Sequence, residues 1–180
     1  MEYNYFISPF DFDSFDNISK IQAREYFQWY ISQSEIRIDL LRAFINENHS
    51  ERIDLDNSPE SLVSLWIWFE DDVLFGEQGF VSKGGNDGYN VELPNEVLKI
   101  NLDISFYFAE VFLYNNPSIT WGYFTKPKNR MSVNKPVLVG FKADMDLDPR
   151  LIVRNCAYRS INNKNSKNLY NIYINWLDFI

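Results

Sequence analysis

Cysteine is almost missing from this sequence: Cys156 stands alone in 180 residues. A lone cysteine forms no intramolecular disulfide and builds no cysteine-based zinc site. Histidine is as scarce, with His49 the single example, so a histidine-based metal centre has too few ligands. No run of about 18 uncharged apolar residues occurs, which excludes a membrane-spanning helix on hydropathy grounds. The start, Met1-Glu2-Tyr3-Asn4-Tyr5, has neither the basic nor the apolar stretch of a secretory signal. A cytoplasmic chain is the expectation. Glycine-rich phosphate-binding motifs and the G-x-S-x-G elbow are absent as well.

What the sequence has in quantity is aromatic side chains and acid. It carries 15 Phe, 11 Tyr and 5 Trp, far more buriable surface than a disordered chain holds. A chain this long buries about 70% of its unfolded surface on folding, so one domain spanning residues 1–180 is expected. The net charge is −8 and unevenly spread. Residues 1–120 hold 21 acids against 7 bases, and residues 121–180 hold 4 acids against 10 bases. An acidic chain repels nucleic acid and anionic membranes at long range and attracts basic partners. The abundance of Asn (20) and Ile (17) points to an AT-rich bacterial genome rather than to a function.

The periodicity predicts a mostly helical α+β fold. An aromatic, acidic segment ends near Ile18 and should lay Phe rings on the core. Ser19 then looks like the N-cap of one long helix over about 19–46, with Ser34 interrupting its apolar stripe where a bend or a partner would sit. Ser58-Pro59-Glu60 announces a second helix ending near Asp71-Asp72. Residues 76–90 carry five glycines and read as a loop. Pro94 and Pro117 bracket a third helix, with Leu98, Leu102, Ser105, Phe108, Ala109 and Phe112 on its apolar face and Val97, Ile104 and Val111 widening it. Two β-rich stretches, 119–124 and 136–141, suggest a small antiparallel hairpin or sheet with a long basic connection. Asp148-Pro149 opens a short helix to about Ser160, and a last helix covers about 167–179.

Candidate chemistry is thin. Asp144, Asp146 and Asp148 alternate like the start of a calcium loop, but its sixth and twelfth positions fall on Pro149 and Asn155 instead of Gly and Glu. Cys156 and His49 are a nucleophile and a base only if folding joins them; Cys156 sits where a buried structural cysteine is usual. The stretch from Trp121 to Lys135 mixes aromatics with Lys126, Lys128 and Arg130, a composition that holds single-stranded nucleic acid. The acidity of the remaining chain argues against that partner. Glu110, in an aromatic helix, is expected to meet an Arg or Lys from the C-terminal third, or Trp121 and Tyr123 as hydrogen-bond donors, and to stabilise the fold through that bond.

Three segments are familiar together: Arg24-Glu25-Tyr26-Phe27-Gln28-Trp29-Tyr30 running to Arg37-Ile38-Asp39-Leu40-Leu41; Ser58-Pro59-Glu60-Ser61-Leu62-Val63-Ser64-Leu65-Trp66; and Tyr107-Phe108-Ala109-Glu110-Val111-Phe112 with Trp121-Gly122-Tyr123-Phe124 and Asn134-Lys135-Pro136-Val137-Leu138. Over about residues 20–160 they resemble a family of small uncharacterised bacterial proteins. In size, acidity and aromatic content the chain is also similar to the broad group of small acidic bacterial proteins that includes toxin-immunity proteins. The resemblance implies no catalytic residue.

The leading expectation is therefore a cytoplasmic protein-binding module, in its specific form an immunity protein neutralising a basic toxin domain, and not an enzyme. No cofactor is expected. The candidate partner-binding surface is Glu35, Asp39, Glu47, Glu51, Asp54, Asp56, Glu70, Asp71 and Asp72. The alternative is a small-ligand-binding protein or enzyme with a pocket around Tyr107, Glu110 and Trp121.

Overall fold

A computed structural model describes residues 6–49, 52–76 and 93–180. The glycine-rich stretch read as a loop, apart from Gly76, lies outside the described residues, as does Glu51. The architecture is mostly helical α+β, as the periodicity predicts. Among the described residues, six α-helices, α1 (Lys20–Ser32), α2 (Ser34–Asn48), α3 (Ser61–Trp68), α4 (Asn95–Asn115), α5 (Pro149–Asn162) and α6 (Asn168–Leu177), accompany two three-residue strands, β1 (Thr120–Gly122) and β2 (Val137–Val139). The strands pair antiparallel with Trp121 opposite Leu138.

α4 is the axis of the fold, packed between α5 and α2, while α3 rests on α6. Its middle turns, Ile104 through Ala109, are buried on every side. A helix that is apolar all round is one the core surrounds. The single apolar face read from sequence is thus too narrow: Phe106 and Tyr107 are fully buried too, whereas Leu98 and Leu102, read as core, are half-buried.

The aromatic N-terminal segment does lay its rings on the core. Phe6 meets Trp29 at 4.9 Å between centroids, and Phe10, Phe12 and Phe15 surround Tyr26 at 5.7, 5.5 and 5.0 Å. Asn134 fastens the segment by donating its side-chain amide to the Phe15 carbonyl at 2.6 Å.

The long first helix is two helices. Ser19 caps α1 in a full capping box with Gln22, but the helix ends at Gln33. There Ser32 Oγ donates to the Trp29 carbonyl at 2.7 Å, competing with the backbone ladder, a known cause of helix bending. α2 starts at once, so the apolar phase carries through the break.

The second helix also departs from expectation. It continues past Asp72 to Leu74, because Phe69–Leu74 winds as a π-helix. The wider turn re-aims the side chains along this acidic stretch.

Candidate functional site

The structure separates the predicted acidic residues by exposure. Glu35, Asp39, Glu47, Asp54, Asp56, Asp71 and Asp72 are exposed, and Glu70 is not. Glu70 is 2% exposed. The π-turn points it inward, where it accepts hydrogen bonds from Ser160 Oγ at 2.5 Å and from the Asn165 backbone N–H at 3.0 Å. It is a structural clamp between α3 and the α5–α6 turn, not a partner-binding residue. Glu70→Ala should cost about 1.5–3 kcal/mol, the range for hydrogen bonds to a charged group, measured by urea denaturation.

Several exposed acids already have side-chain partners. Asp71 pairs with Lys164, Asp72 with His49 Nδ1 at 2.6 Å, and Asp54 with Arg52 at 2.6 Å. Asp56 is held below its ordinary pKa by the Ser58 hydroxyl and backbone N–H. Among the described ion pairs, Lys164–Asp71 alone joins the acidic first 120 residues to the basic remainder.

One place gathers carboxylates without balancing them. At the α1–α2 break a cleft of about 560 Å³ opens between α2, Asn57 and α4, and Glu35, Asp39 and Glu110 line it. Arg42 is its one cation among the described residues, already bonded to Asp39 at 2.5 Å and to the Leu55 carbonyl at 3.3 Å. Ser34 also lines the cleft, and its buried Oγ has no hydrogen-bond partner among the described residues. Tyr107 and Asn115 of α4 hold the rim in place. Asn57 donates its N–H to Tyr107 Oη at 3.0 Å, and its carbonyl accepts from Asn115 Nδ2 at 2.7 Å.

Glu110 overturns its expectation. No arginine, lysine, Trp121 or Tyr123 meets it among the described residues. It is half-buried, and burial first, then the Glu35 charge, raises its pKa above the ordinary 4.5. A carboxyl whose pKa is higher folded than unfolded weakens the fold once both states are ionised. That penalty fades as pH falls through the raised value. Glu110→Gln should therefore hold or raise stability at pH 7, by no more than about 1 kcal/mol because solvent screens a half-exposed group. The gain should vanish near pH 4.5 or below, as followed by thermal melts across pH.

The residues of the alternative pocket have separate surroundings among the described residues. Tyr107 is fully buried with its hydroxyl 2.6 Å from Ser61 Oγ. Trp121 lies edge-on to Tyr30 at 5.8 Å, and Tyr123 stacks near Phe27 at 4.7 Å. The cleft lined by Glu110 includes neither Tyr107 nor Trp121.

Cys156 and His49 are likewise apart in role. Cys156 is buried in the core with its thiol pushed up to about 12 by burial, which suppresses the nucleophilic thiolate. Arg130 of the basic connection spans the Phe124 ring at 3.8 Å and pairs with Asp146, so it neutralises its own domain. Lys126 and Lys128 remain exposed. Asp148 caps α5 through the backbone N–H groups of Arg150 and Leu151. Among the described residues no cluster of three or more His, Cys, Asp or Glu side chains has the arrangement of a metal site, and no helix is long and apolar enough to cross a membrane.

Comparison of the chain with protein-family models, curated proteins and solved structures finds no match. The cleft has to be interpreted from its own chemistry.

Proposed function

We propose that the protein is a cytoplasmic protein-binding module for a basic partner, in its most specific form an immunity protein that covers a basic toxin domain. The resemblance to small acidic bacterial proteins belongs to the same proposal. The observation that carries it is the cleft itself: three carboxylates around one guanidinium, with Glu110 bearing a burial cost that no cation of the described chain offsets. A lysine or arginine of a partner entering the cleft would relieve that cost. Charge complementarity of this kind speeds association and selects partners.

Apolar anchors flank the cleft residues. Ile36 follows Glu35 and is 54% exposed, and Tyr114, one helical turn beyond Glu110, is 68% exposed. Interface energy concentrates in a few such large side chains surrounded by polar contacts.

Affinity capture at low ionic strength from the cells that make the protein tests this reading, with Glu35→Lys run in parallel. A basic protein retained by the natural chain and lost with Glu35→Lys is expected. Recovery of no partner, or of a partner indifferent to the substitution, contradicts it.

A further inference from the structure

The basic third of the chain builds a second concavity, away from the acidic cleft. The first turns of α4 and α5 and the β1–β2 connection enclose a groove of about 510 Å³, within the roughly 300–1,000 Å³ usual for small-molecule sites. Its walls are apolar, with Leu98 and Leu102 from α4 facing Leu151 from α5. This explains why Leu98 and Leu102 stay half-buried although the helical pattern assigns them to the core.

The polar groups of the groove are unevenly matched. Among the described residues, Lys135, Arg150 and Arg154 line it against a single carboxylate, Asp148. Asp148 is committed to Arg150, through contacts of 3.2 and 3.4 Å, and to the start of α5. Arg150 is fixed further by the Tyr30 ring at 5.2 Å and the Phe15 ring at 5.5 Å. Arg154 is exposed and has no carboxylate partner among the described residues. Lys135 donates to the Met131 carbonyl at 2.8 Å, which leaves its charge uncompensated.

Asn101 lines the same groove and is 3% exposed. Its amide nitrogen donates to the Val153 carbonyl at 3.4 Å, which fixes the orientation of the amide. The Oδ1 atom accepts no hydrogen bond among the described residues. An acceptor left open on so enclosed a residue gains a hydrogen bond when a ligand donor reaches it.

We propose that this groove binds a small organic carboxylate. Its anionic end meets Lys135 and Arg154, its apolar body lies on Leu98, Leu102 and Leu151, and an N–H or O–H of the ligand donates to Asn101 Oδ1. The site is independent of the acidic cleft: Asn101 and Glu110 are nine positions apart on α4, about 13 Å along the axis at 1.5 Å per residue.

Indole-3-acetate carries all three features and serves as the probe, titrated into the full chain under amide NMR. Saturable shifts confined to residues 98–102, 131–135 and 150–154, with a Kd of about 1 mM or tighter, are the expected result. Tryptamine, the same ring with an ammonium end, should leave those amides unmoved. Arg154→Glu should weaken binding by about tenfold or more at an unchanged melting temperature. Lys135→Gln should weaken it in the same direction, and provides the reading if Arg154→Glu does not fold. Absence of saturable shifts, equal binding of the two probes, shifts centred on Glu35 and Glu110, or a folded variant with unaltered Kd would overturn the assignment.

Discussion

Asp103→Ala should destabilise the protein by about 3–5 kcal/mol, the cost of removing one partner from a buried ion pair. Asp103 of α4 is fully buried and Arg37 of α2 is 4% exposed. Arg37 donates through Nε at 2.7 Å and through Nη2 at 2.5 Å to the two carboxylate oxygens. This fork is the strongest geometry available to such a pair. It also ties α2, which carries Glu35 and Asp39, to the central helix. Alanine would leave the guanidinium in the core without the carboxylate that faces it. The double variant Arg37→Met/Asp103→Leu should recover most of the loss, because apolar side chains of similar volume often replace a buried pair at little cost. Urea denaturation of the single and double variants checks both statements. A loss below about 1 kcal/mol for Asp103→Ala would place the pair in a far more solvated setting.

Gly140→Ala should cost at least about 3 kcal/mol, combining a strained backbone with a steric overlap. Gly140 follows β2 with φ +108°, a conformation L side chains rarely adopt, and a Cβ there would lie 2.2 Å from the Ser118 carbonyl oxygen. That oxygen belongs to the backbone just before β1, so relief requires parting the two strands where they converge. With only three residues each, the strands have little pairing to spare. Thermal unfolding should show the loss as a Tm lowered by several degrees or more. A melting temperature equal to that of the natural chain would contradict the close approach.

The elements that carry punctuation in the sequence are the ones that could be read from it. Asp148-Pro149 marks the start of α5, Pro94 and Pro117 bracket α4, and Ser19 with Gln22 marks α1, because capping and proline chemistry act within a few residues. The break at Gln33 was legible only as Ser34 interrupting a stripe; the apolar phase continues through it, so periodicity alone reads one helix. Glu70 reads as surface with Asp71 and Asp72 because no composition signal announces a π-turn, which decides which of three adjacent acids turns inward. The Arg37–Asp103 pair spans 66 positions, beyond the reach of any local pattern. The aromatic helix marks Glu110 as an acid in need of a partner, but the charge that acts on it is another carboxylate, Glu35. That outcome depends on how α2 lies on α4, which the spacing along either helix does not contain. The basic groove was missed for a related reason: its cations come from the β1–β2 connection and α5, and its apolar wall from residues that read as core.

The α1–α2 cleft holds an acid that no cation of the described residues compensates. An NMR titration of the Glu110 side-chain carboxyl carbon, in the natural chain and in Glu35→Gln, measures this directly. The expected result is a Glu110 pKa above the ordinary 4.5 in the natural chain, moving down toward that value once the Glu35 charge is removed. A Glu110 pKa at or below 4.5, unmoved by Glu35→Gln, would mean that a cation of the chain already sits on Glu110, and would contradict it.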